Sequence, residues 1–217
     1  MKIKMPWTLS DEAELEAYEY FDKNIRPLPK SNDGRIDTNQ RGFHNNDVDA
    51  FRHAYVSGVF TQDYCEQAAD FLGRSNEFLN LGNIYSNSVD PRNHSMDLWN
   101  NSVGRKYGLK FKDRASLAKA LREAPLKGEL IVELGDKRKF EGASHSTPRS
   151  KSVIVLNQDE NGRNQVFFDT VTKEVLTASQ FVSLIESGQY PEYAVKSIKG
   201  IPTPVSNPDG RGTNNLG

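Results

Sequence analysis

A single cysteine, Cys65, is present among 217 residues. An intramolecular disulfide is excluded, and so is a zinc site of the thiolate finger type. An excess of one charge is lacking too. Lys and Arg number 28 against 29 Asp and Glu, a formal net charge of -1. Near-neutrality argues against a broad nucleic-acid or anionic-lipid footprint, although a local patch such as Arg105-Lys106-Tyr107 with Lys110-Phe111-Lys112 is compatible with that sum. No apolar run reaches the roughly 18 residues of a membrane span. The N-terminus carries Lys2 and Lys4, but Asp11, Glu12, Glu14 and Glu16 arrive before any apolar core, so no cleavable signal peptide is expected. There is no G-x-S-x-G, P-loop, G-x-G-x-x-G, H-E-x-x-H or EF-hand loop.

What is present is a change of character along the chain. Helical patterns dominate up to residue 124. The first is expected over 9–25, capped by Thr8 or Ser10, with Leu15, Tyr18 and Phe21 or Tyr20 inward. Residues 26–45 are turn-rich. A second helix opens at Asn46 or Asp47, and a third covers Gln62 to Leu72 and resumes near Glu77. A fourth runs from about His94 to Val103 and stops near Gly104 or Gly108, and a fifth follows Asp113. Beyond Pro125, Glu129–Leu134 reads as a strand, and 135–150 as a polar loop with His145. Residues 151–158 and 164–170 form a hairpin around Asn161-Gly162. Thr177 with Gln180 makes a capping box for a short helix closed by Gly188.

The fold class expected is α+β: a mainly helical N-terminal part, then a small β-hairpin plus helix region. The expected divisions are 1–124 as a helical catalytic region, 125–200 as a small α+β region packed on it, and 201–217 as a flexible tail. That tail holds Pro202, Pro204 and Pro208 but almost no apolar anchor.

The chemistry gathers between His44 and Arg105. Asp49 and His53 share a helix face, and Arg52 borders it. An Asp one turn before a His fixes the ring tautomer or supplies a second metal ligand. An ordinary surface Asp–His pair has the same spacing. His94, Asp97, Asn101 and Arg105 form a second stripe, with Met96, Trp99 and Val103 opposite. It has no Lys or Glu, and Asn100-Asn101 runs against helix propensity. Glu77 is the carboxylate from the intervening helix that is best placed to join the two stripes, with Asp70 its rival. Ser57 and Ser95 are hydroxyls that nothing marks as nucleophiles.

Asp49-Ala50-Phe51-Arg52-His53-Ala54 and Met96-Asp97-Leu98-Trp99-Asn100-Asn101-Ser102-Val103-Gly104-Arg105 resemble two of three blocks of an uncharacterised bacterial family. Its members are small secreted proteins and C-terminal toxin-like modules of larger polymorphic or wall-associated proteins. The family's middle block is His-Glu, where this chain has Asn76-Glu77, so the glutamate carries over and the histidine does not. The resemblance implies a bacterial source and an effector delivered between cells, and leaves residues 125–217 without a reading.

The function expected is that of an antibacterial effector-type hydrolase acting on peptidoglycan or phospholipid, by acid–base or metal-assisted hydrolysis. Asp49, His53, Glu77 and Asp97 are the catalytic candidates. Arg52, Asn100, Asn101 and Arg105 are the substrate-binding ones. A divalent metal is left open as cofactor, with His53, His94 and Asp97 as candidate ligands. Expected partners are a cognate immunity protein and a secretion-system component. Synthesis in the cytoplasm without a signal peptide, specialised export and action in a target periplasm complete this reading. The alternatives are a non-enzymatic binding protein with a buried polar network, and a nuclease toxin, which the neutral charge disfavours.

Overall fold

The computed structural model describes residues 4–64, 66, 68–74, 91–140, 152–172, 174–208 and 216. Cys65, Glu77, the resumed helix beside Glu77 and His145 lie outside the described residues. The arrangement is α+β, as expected: helices dominate the first part, and small antiparallel sheets with one helix follow. The chain divides into two compact units, Met1–Gly142 and Ala143–Gly217.

The first unit contains α1 (Pro6–Asn24), α2 (Asp47–Asp63), a helical stretch over 68–74, α3 (Pro91–Lys110) and α4 (Arg114–Glu123). Helix α1 starts at Pro6, earlier than Thr8 or Ser10 would have set it, because proline suits the first helical turn. It buries Leu9, Ala13, Ala17, Tyr18 and Phe21, while Leu15 is exposed. The Phe51 ring of α2 packs against Tyr20 and Phe21, with ring centroids 5.7 Å from each. Arg114 of α4 ties Glu16 of α1, at 2.5 Å, to Asp63 of α2, at 3.0 Å.

Helices α2 and α3 form the tightest contact. A Cβ on Gly104 would stand 2.0 Å from the Ala54 carbonyl oxygen, and one on Gly108 would stand 2.4 Å from that of Gly58. Glycine therefore does not end α3, as the sequence had suggested, but carries its backbone onto α2. Ala54 faces Gly104 and Gly58 faces Gly108, so the helices run in the same direction where they touch.

Residues 129–134 do not form the expected strand. Their backbone lies along α3, whose side chains take the place of a partner strand. The Asn100 amide donates to the Ile131 carbonyl and its oxygen accepts from the Ile131 N–H, both at 2.9 Å. The Trp99 indole donates to the Glu129 carbonyl at 2.8 Å.

The second unit holds an antiparallel sheet ordered β1 (Val153–Gln158), β2 (Asn164–Asp169), β3 (Val175–Thr177). Helix α5 (Ala178–Glu186) follows, opened by the Thr177–Gln180 capping box. Phe167, Leu176, Phe181, Tyr193 and Leu216 are among its buried core. A second antiparallel pair joins β4 (Tyr193–Ile198) to β5 (Ile201–Ser206), and β5 occupies the start of the expected flexible tail. Lys199 and Gly200 join the strands with φ of 52° and 77°, as a two-residue hairpin turn requires. Pro202 and Pro204 lie opposite Ser197 and Val195. Alternating from the Ile198–Ile201 pair, both prolines fall where an amide would point away from β4. Their missing N–H groups cost the hairpin nothing, which is why so proline-rich a segment pairs at all.

Candidate functional site

The site is built on the first turns of α2. Asn46 caps this helix through its side-chain oxygen, which accepts from the Val48 and Asp49 amides. Asp49 sits in the first turn, 3% exposed. Its Oδ2 accepts the Asn45 amide at 2.8 Å, and Asn45 adopts a φ of 56°. One turn on, His53 leans toward the helix N-terminus, as helical side chains do. That lean suits the parallel packing of α2 and α3. Asp97, nearly two turns before the Gly104 contact, comes level with the start of α2.

The His53 ring nitrogen Nε2 lies 3.2 Å from Asp97 Oδ1 and 3.7 Å from Asp49 Oδ1. Arg52 reaches into the cluster instead of bordering it. Its Nη2 is 2.7 Å from Asp49 Oδ1 and 2.6 Å from His53 Nε2. The side chains of Asp49 and His53 are 5% and 8% exposed, those of Asp97 and Arg52 14% and 19%, so the cluster opens on the Asp97–Arg52 side. One ligand atom each from Asp49, His53 and Asp97 lies within 4.8 Å of the other two, close enough to share a cation. His94, half-buried in the first turn of α3, is outside that group.

Burial alone would raise the Asp49 pKa. The Arg52 and His53 charges and the hydrogen bonds from Arg52 and Asn45 outweigh it and hold the carboxyl below its ordinary value. Burial would likewise lower the Arg52 pKa. Asp49 outweighs it, aided by Tyr18 and Glu14 of α1, and the guanidinium is raised.

The second stripe is divided by the fold. Asp97 faces α2, whereas Asn101 and Arg105 face the helical stretch 68–74. The Asn101 amide lies close to Gly73, 3.3 Å from where its Cβ would be. Arg105 pairs with Asp70 at 2.8 Å, and Asp70 also holds Arg74 at 2.8 Å. Burial pulls the Arg105 pKa below its ordinary value and Asp70 opposes that shift. Asn100 is fully buried with its amide bound to Ile131. The structure thus brings together Asp49, Arg52, His53 and Asp97. It places Asn100, Asn101 and Arg105 in other contacts. Glu77 is outside the described residues. Asp70 was expected only as a rival to Glu77 for joining the two stripes, and its pairing with Arg105 was not foreseen; its i,i+4 spacing to Arg74 was the available signal.

A buried carboxylate–histidine–arginine centre, held between two helices in glycine-mediated contact, defines the first unit. Residues 30–129, which include the whole cluster, match the family model of a domain of unknown function, DUF6973. No curated protein and no solved structure matches the chain.

Proposed function

We propose that the chain is an effector-type hydrolase acting on an envelope substrate, a peptidoglycan or a phospholipid, of competing bacteria. The observation that carries this is the His53 ring, 3.2 Å from Asp97 and beside Asp49 and Arg52, in a mostly buried cluster. Helix packing has no need of four ionisable groups there, since desolvating each costs several kcal/mol and apolar side chains of similar volume would pack as well (about 1–4 kcal/mol better in known replacements). Such clusters are what water activation requires: groups that draw a proton from water, and a cation that meets the charge on the attacked group. In this reading Asp49, His53 and Asp97 activate the water, and Arg52, on the open side, meets the developing negative charge. The motif blocks resembling toxin-like modules support the effector reading.

The test is expression of the wild-type chain in bacterial cytoplasm and in periplasm, beside His53→Ala. Growth arrest confined to the periplasm, and lost in a folded His53→Ala protein, is expected. A wild type harmless in both compartments, with His53→Ala unable to fold, would instead assign the cluster to a structural network.

A further inference from the structure

Among the described residues, the two polar neighbours of His53 Nε2 make opposing demands on it. An imidazole nitrogen offers one in-plane position, filled by a proton or by a lone pair. The Arg52 donor stands 2.6 Å from Nε2, and the Asp97 carboxylate oxygen 3.2 Å from the same atom. With a proton on Nε2, two N–H groups oppose one another. Without it, a lone pair faces a carboxylate. A cation answers all three acceptors, Nε2 and the two carboxylate oxygens, at once.

The separations fit a metal ion. With bonds of about 2.0–2.2 Å, neighbouring ligand atoms on a first-row divalent ion lie roughly 3–3.6 Å apart. The Nε2 distances of 3.2 and 3.7 Å are near that range, and all three atoms fall within 4.8 Å of one another. One imidazole and two carboxylates suit manganese, iron or zinc better than magnesium or a thiolate-seeking ion. Two carboxylates and a neutral ring also match the charge of a divalent ion. Ser57 adds an independent observation. It lies one turn past His53 on the same face of α2, 3% exposed, and its hydroxyl has no hydrogen-bond partner among the described residues. Its i,i+4 spacing from His53 would let it serve a water on the ion.

We propose that Asp49, His53 and Asp97 bind a divalent first-row transition metal, and that Arg52 holds the place of this cation until the metal displaces it toward the open side of the cluster. The proposal rests on the same residues as the hydrolase reading but not on the reaction.

The experiment is a titration of chelator-stripped full-length protein with Co2+, followed by its visible d–d absorption, with Zn2+ as competitor. A saturable one-to-one spectrum displaced by Zn2+ is expected. Outer-shell partners alone are worth about 10–100-fold in affinity, so His53→Gln and Asp97→Asn, checked for folding by circular dichroism, should each lose at least about tenfold. Arg52→Met should bind as tightly as the wild type or more so. Absence of a saturable wild-type spectrum overturns the proposal without recourse to any variant. So does binding that survives in both folded ligand variants, or an Arg52→Met loss equal to theirs. Stoichiometric metal in a protein harmless to cells leaves the site standing and removes the hydrolase reading. A toxic protein that His53→Ala silences, and that takes up no metal, does the reverse.

Discussion

Replacing Gly104 by alanine tests how the two helices hold the cluster. The added Cβ would stand 2.0 Å from the Ala54 oxygen and 2.7 Å from its carbonyl carbon, both main-chain atoms that no rotamer change can move. A close C···O contact is about 3.3 Å, so α3 must retreat by roughly 1.3 Å. Alanine is favoured over glycine inside a helix by about 1 kcal/mol, and an uncrowded site would show that gain. Overpacking costs about 1–3 kcal/mol where side chains can yield, and here only backbone can, so a net loss of about 2 kcal/mol is expected. The same retreat takes Asp97 out of hydrogen-bond reach of His53, now 3.2 Å away, so activity and metal affinity should fall with stability. Urea denaturation reads the effect as a lower midpoint at unchanged slope. Gly135→Ala is the control: its Cβ would meet nothing within 4 Å, and the change should stay within about 0.5 kcal/mol. A Gly104→Ala midpoint equal to or above the wild type would refute the close packing and the alignment built on it.

Asn100→Leu leaves the Ile131 N–H and carbonyl without their partner. At about 1–3 kcal/mol for each buried group, a loss near 3 kcal/mol in urea denaturation is expected. The Asp49 carboxyl is lowered from its ordinary 3.8, so the stability its ionised form supplies is present above that value and lost as pH falls through the lowered one. A plot of thermal midpoint against pH should therefore drop below about pH 4 and flatten in Asp49→Asn. Truncation before Ile201 removes β5 and the buried Leu216, and should lower the second unit's thermal midpoint by several degrees. An unchanged midpoint would restore the flexible-tail reading of that segment.

Local signals in the sequence were the readable ones. The Asn46 cap, the Thr177–Gln180 box and the shared face of Asp49 and His53 depend on residues a turn or less apart, and all are present. What each stripe of α3 faces was not readable. Asp97 and Arg105 lie on one stripe, yet one meets His53 and the other Asp70, because the glycine contact fixes how α3 lies between two neighbours. Gly104 and Gly108 looked like helix ends, since a sequence does not show whether a missing side chain serves a turn or a close approach. Glu129–Leu134 has a strand's pattern of apolar residues, but burial against a helix gives the same pattern, and the Asn100 amide meets its backbone.

The placement of Pro202 and Pro204 gives the last hairpin a single reading frame. Sliding β5 by one residue would put both prolines where β4 requires donors, and two ladder bonds would be lost together. The outer margin of β5 lacks amides at the same two positions. A strand arriving from another copy of the chain would meet carbonyls without the donors that alternate with them, so the residues that fix the pairing within the hairpin also keep its edge from recruiting a stranger.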